Sequence, residues 1–295
     1  MPWDSDNRRM KIFLPFVLAL SSLSAVAQIP SAITSDPPVN KSNPAWMYQL
    51  AIPSHGANLN GLIYVAEGGG ANPTVILLHG FPGYEQNLDL AQSIRRAGWN
   101  VIFFHYRGSW GSQGTFSFAN SIEDTKSAIA WARDAQNAKE YRIDAERIVL
   151  IGHSMGGFMA SAVGRDAKVM GVAMIAASNI GARAKVSDPA ELKNFLQANI
   201  LPLSGCTVDS LFVEMIDHKE DWDYNSFVPQ LKNQPVLVVS ADDGNRTTND
   251  AFVAAMKSVG ARRITSVHLP TDHGFNDHRI ALQIAILDWL NTLNP

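Results

Sequence analysis

The sequence predicts an α/β protein, a doubly wound and mostly parallel sheet with a small helical cap inserted into it. Three observations predict this class. Short continuous apolar runs at 74–78, 100–104, 147–151, 169–176 and 235–240 are bounded by turn residues, as fits strands buried on both faces. Segments with helical spacing alternate with these runs, the chain order that a parallel sheet requires. The 295 residues are 46% hydrophobic and 17% charged, apolar enough for a large core.

The same composition excludes several classes. A formal charge of −3 gives no basic footprint for nucleic acid. Disorder would need low hydrophobicity and high net charge, and neither is present. The single cysteine, Cys206, has no intrachain partner, so no disulfide framework is available. No thiolate-activating motif surrounds it, and it reads as a small buried hydrophobe.

Residues 1–27 read as an export signal. Arg8, Arg9 and Lys11 form the positive region, residues 12–20 the apolar stretch, and Ala25-Val26-Ala27 the small-residue cleavage pattern. Ser21, Ser22 and Ser24 interrupt the apolar stretch well short of the roughly 20 residues that span a membrane. Translation from either Met1 or Met10 preserves this pattern. Removal takes away three basic and two acidic residues and leaves a charge of −4. No later run reaches membrane-spanning length, so the expectation is an exported, periplasmic or secreted protein without a stable membrane anchor.

Residues 28–45, with four prolines, read as an extended leader, and 46–295 as the folded domain. Strands are expected at 47–53 and 62–66, joined through turn residues 54–60. Gly68-Gly69-Gly70 breaks the chain before the strand at 74–78. Helices are expected at 88–97, 122–135, 155–164, 249–259 and 277–293. The one at 122–135 opens on a capping pair, Ser121 with Asp124 three residues on. A further strand is expected at 264–268. About 55 residues, 178–234, carry helical spacing at 189–200 and 210–218 but no convincing strand, which reads as a cap too small to be an independent domain.

The sharpest chemical signal is Gly152-His153-Ser154-Met155-Gly156-Gly157, which follows one strand and opens a helix. This is the G-x-S-x-G elbow in the context it needs: a strained turn lifts the serine hydroxyl out at the carboxyl edge of the sheet. Side chains at Gly152 and Gly156 would collide with neighbouring backbone there. A nucleophilic serine needs a base, an orienting acid and an oxyanion site. In this architecture the acid and then the histidine follow the serine in chain order. The strand at 236–239 runs into Asp242-Asp243-Gly244, and the strand at 264–269 into Asp272-His273-Gly274. Both loops leave the carboxyl ends of strands, the ligand edge of an open α/β sheet. Of the eight histidines, His273 best combines this position with the chain order; His278, its close rival, opens the last helix and reads as solvent-facing. Asp242 and Asp243 both remain candidates for the acid, and Asp272 reads as a loop cap.

The loop His79-Gly80-Phe81-Pro82-Gly83 follows the 74–78 strand. It can aim the backbone N–H of Phe81 at a reacting carbonyl, beside that of Met155, while His79 shapes the loop. Arg107, in Tyr106-Arg107-Gly108-Ser109-Trp110-Gly111-Ser112, reads as a brace for neighbouring loops. Trp110, Phe116 and Phe118 line either an acyl pocket or the core.

These motifs make the chain resemble the α/β-hydrolase fold superfamily, and within it the serine hydrolases related to prolyl oligopeptidase and the serine aminopeptidases. The resemblance covers about residues 46–293. It implies a Gly-x-x-Asp spacing after the acid strand, with Ser240 at the glycine's place, and that spacing selects Asp243. It implies an ester or amide hydrolase with Ser154, His273 and Asp243 as catalytic residues and the N–H groups of Phe81 and Met155 as oxyanion donors.

The expected ligand is a small ester or a short peptide. For a free α-amino substrate, Glu214, Asp217 or Asp221 in the cap would be the anchor. A non-catalytic binding protein on the same fold is the reading from another class. Walker, dinucleotide and H-E-x-x-H patterns are missing from the sequence, as are paired cysteines, so no cofactor and no metal is implied.

Overall fold

The computed structural model describes residues 29–293. The predicted export segment lies outside the described residues. The strands are β1 Trp46–Ser54, β2 Ala57–Val65, β3 Asn72–Leu78, β4 Asn100–Phe104, β5 Ile143–His153, β6 Gly171–Ile175, β7 Val236–Ser240 and β8 Ile264–His268. They form one eight-stranded sheet in the order β1-β2-β4-β3-β5-β6-β7-β8. β1 and β2 pair antiparallel, as do β2 and β4, and the remaining pairs are parallel. The fold class read from the sequence is therefore the observed one.

Helices cover both faces: α1 Ser31–Thr34, α2 Leu88–Arg96, α3 Phe118–Arg133, α4 Ala135–Glu140, α5 Met155–Gly164, α6 Ile180–Val186, α7 Pro189–Asn199, α8 Val208–Asp217, α9 Val228–Leu231, α10 Arg246–Ser258 and α11 Arg279–Leu293. Successive strand residues point to opposite faces, and β3 shows the division. Val75 and Leu77 join a core with Leu90 and Ile94 of α2 and Leu282 and Ile286 of α11. Ile76 and Leu78 join the other, with Ile129 of α3, Phe158 of α5 and Phe252 of α10. The central strands are fully buried, which is why their sequences run apolar without alternation.

Three local expectations differ from what is observed. The turn expected at 54–60 is a two-residue hairpin, His55-Gly56, with φ of 46° and 80°. Both residues take the left-handed conformation that suits the right-handed twist of the flanking strands. The segment expected as a wholly extended leader contains α1, which buries Ala32 against α2 and α11. The helix expected from 122 begins at Phe118 and is capped by Ser117, whose side chain accepts from Asn120 N–H. Asp124 is no cap: it is fully buried and takes Arg107 Nε at 2.6 Å, Arg107 N–H at 2.8 Å and Ser54 Oγ–H at 2.7 Å.

Residues 178–234 leave the sheet after β6 and return at β7. They carry α6 to α9 and a 3-10 turn, Tyr224–Phe227. Within them, one isolated bridge from Leu203 to Ser109 is the β-contact among the described residues. Glu214 of α8 ties this cap to α3. Its carboxylate accepts from Phe118 N–H at 2.9 Å and Ala119 N–H at 3.0 Å, the free donors and positive end of the first turn of α3.

Candidate active site

Ser154 joins β5 to α5 with φ 56° and ψ −120°. A non-glycine residue there is strained by about 1–3 kcal/mol and persists only where its surroundings over-determine it. They do so here. Ser154 N–H donates to Ile175 O at 2.8 Å, and Ser154 O accepts from Gly157 N–H and Ser178 N–H, both at 3.0 Å. The elbow glycines are required by contact. A Cβ at Gly152 would lie 1.9 Å from Gly156 O, and one at Gly156 would lie 2.1 Å from Leu78 O.

The turn after β7 and the loop after β8 meet beside this serine. His273 Nδ1–H donates to Asp243 Oδ2 at 2.6 Å. Asn245 N–H donates to Asp243 Oδ1 at 2.9 Å. Burial pushes the Asp243 carboxyl up, but the hydrogen bonds from His273 and Asn245 outweigh it and hold the group below its ordinary range. Asn245 and Asn249 anchor this loop to the end of β6, donating to Ala176 O and Ala177 O at 3.2 and 2.9 Å. Asp242 points away, half exposed and paired with Arg246. Asp272 caps its own loop, accepting from Asn276 N–H at 3.0 Å.

Ser154, Asp243 and His273 line one cavity of about 320 Å³, together with Phe81 and Met155. Gly80 packs against the serine, where an added Cβ would approach Ser154 Cβ to 2.8 Å. Phe81 follows directly. Met155 occupies the first position of α5, where a backbone N–H has no intrahelical partner. All five residues named from the sequence thus meet at one place.

Two buried histidines support the loops. His153 Nε2–H donates to His273 O at 2.8 Å, and burial, with the nearby His273 charge, lowers its pKa to about 3. His79 bridges Gly80 O at 2.7 Å and His105 Nδ1 at 3.3 Å, and burial lowers it likewise to about 3. Both rings are neutral braces. Trp110 is another, donating Nε1–H to Pro82 O at 2.8 Å. Phe118 lines the cavity while Phe116 is buried beside it. Cys206 is half-buried rather than buried, and burial still raises its thiol.

The cap supplies the rest of the wall, through Ile180, Arg183, Phe195, Asn199 and Met215. The sequence does not mark these residues, because only the docking of the cap decides which of its residues face inward. Glu214, Asp217 and Asp221 are not among the lining residues. Among the described residues no cluster of three or more metal-ligating side chains occurs, and no helix is long and apolar enough to cross a membrane.

Known proteins match at two levels. A family model described as BD-FAE matches residues 62–195. YfhR of Salmonella typhimurium, a protein of uncharacterised function, is 34% identical over 143 residues, 47% of this chain and 46% of its own length. The chain thus spans less than half the length of the first curated relatives it matches. Among solved structures, the thermostable carboxylesterase EstE1 from a metagenomic library superposes with a TM-score of 0.61 at 20% identity, over 86% of this chain and 91% of that one. The acylaminoacyl peptidase of Pyrococcus horikoshii gives 0.61 at 14% identity, over 84% of this chain and 41% of that one. Sheet order, elbow and the likeness to these solved structures together give the chain the α/β-hydrolase fold.

Proposed function

We propose that the protein is an exported serine hydrolase that cleaves carboxylic esters through an acyl-enzyme. One observation carries the reading: the His273–Asp243 hydrogen bond, 2.6 Å long, lies in the cavity that the strained Ser154 lines. In the reaction, Ser154 Oγ attacks the ester carbonyl while His273 Nε2 takes its proton. Asp243 holds the proton on Nδ1 and stabilises the imidazolium that forms. The N–H groups of Phe81 and Met155 bind the tetrahedral oxyanion, where one donor is worth about 2.7–4 kcal/mol. The imidazolium gives its proton to the leaving alkoxide. His273 then activates a water that hydrolyses the acyl-enzyme.

Peptidase activity on short peptides is the competing reading, and the fold serves both chemistries. An ester is favoured because no cap carboxylate lines the cavity to hold a substrate amine. Glu214 is engaged at the start of α3. A non-catalytic scaffold would have no use for the conformational strain at Ser154.

Fluorophosphonate labelling of the wild type and of Ser154→Ala tests the nucleophile. Labelling of the wild type alone supports it, and equal labelling of both, or of neither, refutes it. Rates on p-nitrophenyl esters against aminoacyl amides then separate esterase from peptidase. Export with cleavage after Ala27 predicts a mature mass lacking residues 1–27.

A further inference from the structure

The cavity beside Ser154 is walled by Phe81, Phe118, Ile180, Phe195 and Met215, and Arg183 of α6 enters this apolar surface. Its guanidinium lies 4.9 Å above the Phe195 ring, and Phe195 packs on Phe81 at 5.8 Å. The cation therefore sits at one end of an aromatic stack whose other end is the oxyanion loop. A guanidinium has several N–H donors and no acceptor. The hydrogen bond it makes, Nη2 to Asn245 Oδ1, is long at 3.4 Å. Asp243 is the carboxylate whose charge acts on Arg183. Both oxygens of that carboxylate are already engaged, by His273 and by Asn245 N–H. Among the described residues no carboxylate forms an ion pair with Arg183. A partly buried cation with unused donors is unfavourable until an anion meets it.

Bracing the acid loop does not account for the residue. Asn245 is held independently, through its side chain by Ala176 O and through its N–H by Asp243. A weak 3.4 Å contact adds little to that.

We infer that Arg183 is a specificity-determining residue that binds a negative charge on the substrate, so that the preferred esters carry a carboxylate or equivalent anion a short apolar chain away from the scissile carbonyl. This rests on the reading of Ser154 as nucleophile. The aromatic wall takes the carbon chain, and the guanidinium pairs with the anion through charge-assisted hydrogen bonds. The anion lies either on the acyl group or on the alcohol, and matched substrates distinguish the two.

The acyl arm compares 4-nitrophenyl hydrogen adipate with 4-nitrophenyl hexanoate. The alcohol arm compares 4-butyryloxybenzoate with its methyl ester. The readout is the ratio of kcat/KM, anionic over neutral, for the wild type, Arg183→Gln and Arg183→Lys, with fluorophosphonate labelling run on the same preparations. The wild type should favour the anionic member of one arm by about tenfold, the scale of one charge-assisted contact. Arg183→Gln should abolish that preference, and Arg183→Lys should restore part of it. A ratio unmoved by Arg183→Gln in both arms overturns the inference, even if both rates fall together, since that is the signature of a brace. A labelled wild type without preference in either arm overturns it equally. A wild type that does not label refutes the nucleophile assignment instead, and the inference falls with it.

Discussion

The buried ring of His153 donates its Nε2–H to the main-chain oxygen of His273 across 2.8 Å, joining two loops 120 residues apart in sequence. The residue before the elbow serine thereby supports the backbone of the imidazole that serves it. A carbonyl only accepts, so Nε2 carries the hydrogen and Nδ1 is bare, buried without a partner among the described residues. Protonation would put an uncompensated charge there, which is why the pKa falls to about 3.

That depression makes a prediction for stability. In the unfolded chain a histidine titrates near about 6.5, so between that value and about 3 the unfolded state holds a proton that the folded state does not. Stability contributed by neutral His153 is complete above pH about 6.5 and is lost as pH falls, with a slope of about 1.4 kcal/mol per pH unit. His79 contributes with the same sign. His153→Gln should flatten the pH dependence of the urea midpoint between pH 6 and 4 by about one proton. Having an amide donor, it should also keep more of kcat than His153→Phe does. An unchanged slope would show that His153 does not titrate as its burial implies.

Asp243 and Asp242 are neighbours with different surroundings. Asp243 is almost wholly enclosed and binds His273, whereas Asp242 is half exposed and binds Arg246 one turn on. Asp243→Asn should lower kcat by about 10⁴-fold, because an amide no longer holds the required tautomer. Asp242→Asn breaks a surface pair worth about 0.3–0.5 kcal/mol and should leave kcat within about twofold. Steady-state rates on one neutral ester decide the assignment, and the reverse ordering would move the role to Asp242.

Gly80 packs so closely on Ser154 that an added methyl group would approach the serine Cβ to 2.8 Å. Ser154 is held by four backbone hydrogen bonds, so the loop gives way before the serine does. Gly80→Ala should displace the Phe81 N–H from the oxyanion and lower kcat by about 10²–10³-fold, the loss of one donor, with KM little changed. A drop in the urea midpoint without a fall in kcat would show that the loop absorbs the methyl group and that Phe81 is not a donor.

The parts of the site legible in the sequence are those held by local contact. Gly152, Ser154 and Gly156 form the elbow within five residues, and the loops bearing Asp243 and His273 each follow a strand, apolar and buried in β7 and half polar in β8. Legibility ends where a side chain answers to something distant. Ser121 and Asp124 have the spacing of a helix cap, yet Asp124 is taken by Arg107 and Ser54 across the fold, and the cap falls to Ser117. The same residue spacing describes a cap or a buried ion pair, and only the packing chooses. Phe195 and Glu214 lie in cap segments whose helical spacing does not say which surface they meet, and Arg183 lies on α6, outside those segments.

The sequence reads Arg107 as a brace, and the buried pair with Asp124 gives that role a measurable size. Arg107 is about nine-tenths enclosed and Asp124 fully so. Arg107 Nη2 also donates to Asn120 O at 3.0 Å, tying the 106–112 turn to the start of α3. Removing one partner of such a pair leaves a desolvated charge and typically destabilises by about 3–5 kcal/mol. For Arg107→Met the lower end applies, because Ser54 Oγ–H and the Arg107 backbone N–H still reach the carboxylate. Arg107 does not line the cavity, so a purely structural role predicts a lower urea midpoint with kcat per folded molecule retained. Adding Asp124→Asn to Arg107→Met removes the stranded charge and should recover part of the loss, which denaturant titration of the three variants would show. A selective fall in kcat for Arg107→Met at full stability would instead place Arg107 in the reaction.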